Sequence, residues 1–299
     1  MTVLAGFSAA GRGAAPVELA AQIARTTGEP VVAAAVIERR LPARTDPIED
    51  EYVDAVAVRT ERALHAAVDG LPGAGVTVEV AQAQSIPRGL TDLAAKHAAS
   101  VVTVGSSSAG LAGRVSLGAV TDRLVHAAAV PVAIAPRGYR SSGRPVTRLS
   151  AAYGGKADAN GLIEAAAALA GAWDVPLRIV SFSVHGPGAM FGASVSDAAE
   201  ELIVRRWQAA MSARIELRLG QARSTVSLAD VEVAAGTGAD WRAAVENASW
   251  QPGELLLLGS GAAGQAQQVF LGTAAARIVR NSPVPVMIVP RPEATERIA

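Results

Sequence analysis

The chain of 299 residues carries 27 basic and 27 acidic side chains, giving a formal net charge of zero, and 50% of it is hydrophobic with only 4% aromatic. Neutrality removes the electrostatic footprint of a general nucleic-acid or anionic-membrane binder, and the absence of cysteine excludes disulfides, thiolate metal sites and a cysteine nucleophile. At roughly 100–200 residues per domain the length points to two domains, with cores built from Ala, Val, Leu and Ile.

The opening MTVLAGFSAAGRG has neither a basic n-region nor a long apolar stretch, so no cleaved signal is expected. The longest apolar runs, 165–170 and 255–258, fall far short of the roughly 20 residues a bilayer span requires. A soluble cytoplasmic protein is the expectation.

In chain order, residues 2–5 form a short apolar run, 16–26 have helical periodicity, and 31–37 are a Val-rich run without polar alternation. Such a run fits a parallel strand covered on both faces. A long helix is predicted over 48–69, closed by Gly70, Pro72 and Gly75. Strand 76–80, helix 87–99 with proline in its first turn, strand 101–104, a helix opened by Gly118 and strand 131–135 follow. The second half repeats the order: strand 149–152, helix 160–173, strand 176–184, helix 196–219, strand 230–235, helix 240–248, strand 254–258, helix 273–280 and strand 285–289. The fold class is therefore α/β, two tandem doubly wound domains, each a five-stranded, mostly parallel sheet with helices on both faces. The boundaries read 1–138 for the first domain, 139–147 for a linker rich in Gly, Ser, Arg and Pro, 148–292 for the second domain, and 293–299 for a tail.

The two halves share one passage. VVTVGSSSAGLAGRVSLGAV at 101–120 aligns without a gap on LLLLGSGAAGQAQQVFLGTA at 255–274, an offset of 154 residues. Gly105, Gly118, Pro131 and Pro136 fall on Gly259, Gly272, Pro285 and Pro290. A supersecondary unit recurring at a fixed offset marks a duplicated domain.

In open α/β sheets ligands bind beyond the carboxyl ends of the strands. There the first half has Gly105, Ser106, Ser107 and Ser108, with Gly118 opening a helix, and the second has Gly259, Ser260, Gly261 and Ala262, with Gly272 and Thr273. Small residues let backbone N–H groups approach an anion, and a helix N-terminus adds unpaired donors, so phosphate is the natural guest. The same residues also suit a plain tight turn and helix cap. Arg114 could reach a phosphate bidentately or be a solvated surface arginine, and its aligned position is Gln268.

The other polar residues read more simply. His65, His97, His126 and His185 show no paired metal-ligand spacing, although His185 lies in a Gly-rich loop at a plausible ligand edge. Asp46, Glu49, Asp50 and Glu51 read as helix N-terminal charge, and Trp207, Trp241 and Trp250 as core or interface fillers. No Gly-x-Ser-x-Gly elbow and no GxxxxGK[ST] loop is present, which counts against a hydrolase or a P-loop NTPase.

Gly105 and Gly259, each followed three residues on by a small residue and then by Gly118-Ala119 or Gly272-Thr273, resemble the universal stress protein motif Gly-x2-Gly-x9-Gly-[Ser/Thr]. VTDRLVHAAAVPVAIAPR and AAARIVRNSPVPVMIVPR are similar to that family's last helix and strand. The chain thus resembles a tandem universal stress protein, of adenine nucleotide α-hydrolase-like architecture. The resemblance implies pairing through the last strand and, in one subclass, ATP or another adenine nucleotide held by Gly105, Ser106, Ser108, Gly118, Gly259, Ser260, Gly272 and Thr273. The second motif glycine is replaced by Ser108 and Ala262, the terminal Ser/Thr is Ala119 in the first repeat, and the aspartate of ATP-binding members falls on Gly6 and Tyr153. A β-carbon at a close-approach position obstructs a phosphate.

The resemblance therefore implies a non-catalytic stress-response or regulatory protein with degenerate nucleotide loops. The alternatives are an ATP-binding regulator working mainly through the second domain and, less favoured, a nucleotide hydrolase, against which the lack of an SGGxDS-type loop speaks. Partners expected are a nucleotide, a regulatory protein of unknown kind and the two domains with each other, with room for a further homodimer; nucleic acid, membrane and metal are not expected. Residues 132–135 and 286–289, short apolar strands at the edges of their units, should pair inside the chain, because exposed apolar edges are normally paired or blocked.

Overall fold

The computed structural model describes residues 1–8, 13–39, 45–71, 75–107, 110–154, 161–184, 197–224, 231–259 and 273–290. The first half runs β1 (Thr2–Phe7), α1 (Ala15–Thr27), β2 (Val31–Glu38), α2 (Pro47–Val68), β3 (Val76–Ala83), α3 (Ile86–Lys96), β4 (Ala99–Gly105), α4 (Ala119–Ala127) and β5 (Val132–Ala135). The second repeats it as β6 (Arg148–Ala152), α5 (Leu162–Trp173), β7 (Leu177–Val184), α6 (Asp197–Ala222), β8 (Val231–Gly238), α7 (Trp241–Glu246), β9 (Glu254–Gly259), α8 (Thr273–Asn281) and β10 (Val286–Val289).

All the strands form one ten-stranded sheet, ordered β3-β2-β1-β4-β5-β10-β9-β6-β7-β8. Pairing is parallel within each half, and β5 meets β10 antiparallel with Val286 opposite Ile134, Met287 opposite Ala133 and Ile288 opposite Val132. The two short strands therefore pair with each other as expected, and the edges of the separate units become the middle of the sheet. Their apolar character follows from that position, since β5 is buried throughout and Val286, Met287 and Ile288 are buried too.

Alternation along each strand divides two cores. Val3, Ala5, Leu149, Ala151, Leu255, Leu257 and Met287 face α1, α2, α5 and α6, whose Val17, Leu64, Ile163 and Ile215 cover them. Leu4, Val102, Val104, Leu256, Leu258 and Ile288 face Leu90, Leu124, Val245 and Ile278, which come from α3, α4, α7 and α8. Each core runs through both halves, so the duplicated units share their interiors. Alanine at 33–35 in β2 and at 20–21 in α1 leaves little side chain between helix and sheet, which permits close packing with few aromatics.

Local chemistry explains the helix ends. Asp46 caps α2, its carboxylate accepting the Ile48 N–H at 2.9 Å, and Glu49 and Asp50 stand in the first turn, as read from the acidic cluster. Asp240 caps α7 by accepting the Ala243 N–H at 2.8 Å, so the helix starts one residue later than its pattern suggests. Helix α3 ends at Lys96, before the expected residue 99, because Ala98 takes a left-handed conformation (φ 47°) and Ala99 already belongs to β4.

Candidate functional site

The strand order reverses between β1 and β4, and again between β6 and β9, so each half has a switch point at the carboxyl ends of its strands. At the first, Gly105 ends β4 in register with Ala135 of β5. Ser106 then bonds twice to the Ala135 carbonyl, through its N–H at 3.1 Å and its hydroxyl at 2.7 Å, while its Oγ accepts the Ser116 N–H at 3.2 Å. The Ser107 N–H donates to Ser116 O at 2.8 Å, the Gly110 N–H to Ser107 O at 3.1 Å and the Gly113 N–H to Arg137 O at 2.9 Å. Arg137 returns a guanidinium bond to Gly110 O at 2.7 Å. The loop is thus folded on its own donors.

Gly118 precedes α4 in an extended conformation (φ −93°, ψ 168°) and, without a side chain, gives the helix no cap. A β-carbon on Gly118 would lie 3.5 Å from Ser107 Cβ, and one on Gly105 3.4 Å from Pro16 Cγ, both ordinary contacts. This loop demands glycine at Gly110, whose added β-carbon would fall 2.6 Å from Ser116 Cβ, and at Gly113, which takes a left-handed conformation (φ 71°). Thr121, in the first turn of α4, donates its hydroxyl to the Gly105 carbonyl at the end of β4 at 3.3 Å. Ser108 lies outside the described residues.

In the second half Gly259 ends β9 opposite Val289, matching the place of Gly105, and Thr273 opens α8 exposed to solvent. Ser260, Gly261, Ala262, Gln268 and Gly272 lie outside the described residues, as does His185.

The register also moves one equivalence. Val3 pairs with Val31 and Val101, Leu149 with Leu177 and Leu255, so Gly6 corresponds to Ala152, and Tyr153 corresponds to Phe7. A β-carbon on Gly6 would press on both Leu90 methyls at 3.2 Å, in an apolar layer. Phe7 and Tyr153 both pack on the opposite core. No carboxylate stands at any of these four positions.

Arg114 does not stand free over the loop. Its Nη1 donates to the Asn281 carbonyl at 2.6 Å, at the end of α8, and its Nη2 pairs with the carboxylate of Glu246, at the end of α7. Arg242 also donates to that carboxylate at 3.1 Å, and this bond, reinforced by Arg114, holds the Glu246 carboxyl below its ordinary range. His97 Nε2 meets Glu79 at 2.7 Å and His126 lies against the Asp122 carbonyl. Among the described residues no group of His, Cys, Asp and Glu could hold a metal ion. No described helix is long and apolar enough to cross a membrane.

Two polar assemblies escaped the sequence reading. At the amino ends of β6, β7 and β9, opposite the loops, Glu254 is bonded by Arg178 and Arg148, and Arg178 lies 5.0 Å over the Trp250 ring. The linker, meanwhile, lies along α1. Glu18 accepts from Ser141 Oγ at 2.8 Å and from Arg140 at 3.2 Å, Gln22 accepts the Tyr139 hydroxyl and donates to Pro145 O and Gly253 O, and Thr26 accepts the Val146 N–H at 2.7 Å. Residues 18, 22 and 26 share one helix face, a stripe that could have been noticed as polar residues at a spacing of four.

The universal stress protein family profile matches residues 1–136 and again 146–290, so both halves and both loops fall inside it. The chain belongs to the universal stress protein family. Universal stress proteins of Mycobacterium tuberculosis and Mycobacterium bovis are each 33% identical to it over 299 residues, covering 97% of this chain and their own whole length. Two solved structures share the tandem fold at low identity. A putative universal stress protein from Pseudomonas aeruginosa has a TM-score of 0.55 at 14% identity, covering 99% of this chain and 95% of its own. One from Archaeoglobus fulgidus has 0.53 at 18%, covering 97% and 98%. The tandem pair of universal stress domains is thus a shared architecture, and in this member its two loops carry different residues.

Proposed function

We propose that this universal stress protein is a non-catalytic regulatory member of the stress response, whose loops are degenerate nucleotide sites and whose output passes to a protein partner. The observation that carries the reading is the closure of the first loop, where the N–H groups of Ser106, Ser107, Gly110 and Gly113 all bond to carbonyls of the protein. An anion needs such donors unspent. Ala119 also stands where a hydroxyl would complete the motif. His97 and His126 are engaged structurally, which supports a chain without acid–base machinery.

A second reading, an ATP-binding regulator acting through the second domain, is favoured by the exposed Thr273 at the start of α8. Native mass spectrometry of the purified chain, ATP titration and a turnover assay separate the two. Neither co-purified nucleotide nor saturable uptake is expected. ATP at near-unit stoichiometry supports the second reading, and turnover overturns both.

A further inference from the structure

We infer that residues 137–147 form a releasable strap that keeps the first loop closed. Docked on α1, they hold Arg137 against that loop, and their release as one unit frees the bonds the loop makes to it. The root of the strap is woven into the loop. The Arg137 N–H donates to Arg114 O at 3.1 Å, its carbonyl accepts the Gly113 N–H at 2.9 Å, and its guanidinium bonds Gly110 O at 2.7 Å. Because these bonds are part of the closure described above, the role assigned to the strap rests on that closed-loop reading.

Two anchors hold the strap down. At the first, the carboxylate of Glu18, a residue 8% exposed, accepts the Ser141 hydroxyl at 2.8 Å, the Ser141 N–H at 3.2 Å and the Arg140 guanidinium at 3.2 Å. At the second, Thr26 accepts the Val146 N–H at 2.7 Å, while Thr147 donates its N–H to Gly253 O and its hydroxyl to Pro252 O, each at 3.0 Å. Gln22 lies between them on α1 and serves both, accepting the Tyr139 hydroxyl and donating to Pro145 O and Gly253 O. Gly253 (φ 87°) shapes the second anchor, where a β-carbon would fall 2.9 Å from Thr147 Cγ2.

These contacts suit release. They are polar, so water can take the place of each partner once the strap lifts. Arg137, Arg140, Ser142, Gly143, Arg144 and Pro145 are exposed, Tyr139 is half-buried, and Val146 is the strap's only buried apolar side chain. A segment with so little buried hydrocarbon opens at a lower free energy than the core. Gly138 (φ 76°) and Gly143 (φ 72°) bracket the piece bound to Glu18, at left-handed turns that glycine makes without strain. The domains stay joined meanwhile, because β5 and β10 pair without help from the strap.

Amide hydrogen exchange is followed by NMR, without nucleotide, in the full-length chain and in Glu18→Ala and Gly253→Ala. The reporters for Glu18→Ala are the N–H groups of Val146 and Thr147, at the other anchor, and of Gly113, in the loop; none of them touches Glu18. Loss of the charged bonds at Glu18 predicts about tenfold faster exchange at all three, with residues 132–135 unchanged. Gly253→Ala loosens the strap from its far end and should speed exchange at Ser141 and Gly113 about threefold. Acceleration confined to 140–142 in Glu18→Ala overturns the strap. So does acceleration that extends to 132–135, since the sheet is then unfolding. ATP titration of the wild type tests the closed-loop reading separately. Saturable uptake there sinks that reading, while the exchange pattern still decides whether the strap opens as a unit.

Discussion

Glu254 and Arg178 meet at 2.5 Å inside the protein, the guanidinium 1% and the carboxylate 0% exposed as side chains. Arg148 bonds the other carboxylate oxygen at 2.9 Å, and Ser150 lies within the same cluster. Among its described residues the first half has no buried carboxylate held by two arginines. In register, Leu4 and Val32 occupy the places of Ser150 and Arg178, so one copy of the fold puts hydrocarbon where the other puts a hydroxyl and a guanidinium.

Glu254→Ala should destabilise the chain by about 3–5 kcal/mol, because it strips the buried Arg178 guanidinium of its carboxylate and leaves Arg148 with the exposed Glu232 as its only carboxylate. Replacing Glu254, Arg178 and Arg148 together by apolar residues should cost far less, since a buried ion pair repays little beyond its own desolvation. Urea unfolding of both variants checks this. A larger loss in the triple variant than in Glu254→Ala would contradict it.

Burial, with the nearby Glu18 carboxylate, pushes the Tyr139 hydroxyl up to about 12. The phenol is a neutral donor to Gln22, and the unfolded chain would release its proton near pH ~10. The contribution is therefore fully present below about pH 10 and is lost as the pH climbs toward about 12. Absorbance titration of phenolate should show one late-titrating tyrosine that vanishes in Tyr139→Phe. That variant should lose about 1 kcal/mol at neutral pH.

Gly110→Ala should open the first loop, because its β-carbon would fall 2.6 Å from Ser116 Cβ. A cost of about 1–3 kcal/mol is expected. Gly118→Ala, which meets Ser107 only at ordinary contact distance, should cost under ~1 kcal/mol. Thermal melts of the pair test the order, and equal costs would show that the loop yields at residue 110.

Both cores run through both halves, so the chain should unfold in one calorimetric transition, with matching van't Hoff and calorimetric enthalpies. Ala133→Asp places an unpaired carboxylate at a fully buried position on the central strand pair. It should destabilise both halves together by several kcal/mol. Two separate transitions in the wild type would refute the shared interior.

The Val-rich run of β2, the acidic start of α2 and the gapless repeat around Gly105 and Gly259 were legible because each is a local pattern with a local cause. Three other features were not. Helix α3 reads as helical past Lys96 until the left-handed turn at Ala98 is seen, and a single residue's φ leaves no periodic trace. Tyr153 looks like the partner of Gly6 until strand register pairs it with Phe7, since a slip of one residue exchanges the faces of a strand. Arg114 sits inside a phosphate-type loop in sequence, yet its guanidinium is spent on residues 132 and 167 positions away.

By itself the sequence determined the α/β alternation, the duplication, the family and the pairing of 132–135 with 286–289, because periodicity, turn residues and apolar edges act over short stretches of chain. Only the tertiary structure decided what the polar side chains do. Whether Arg114 meets a phosphate or Glu246, whether Glu254 faces water or Arg178, and whether the linker hangs free or lies along α1 depend on which groups the fold brings within about 3 Å. Such distances are set by packing between elements far apart in the chain.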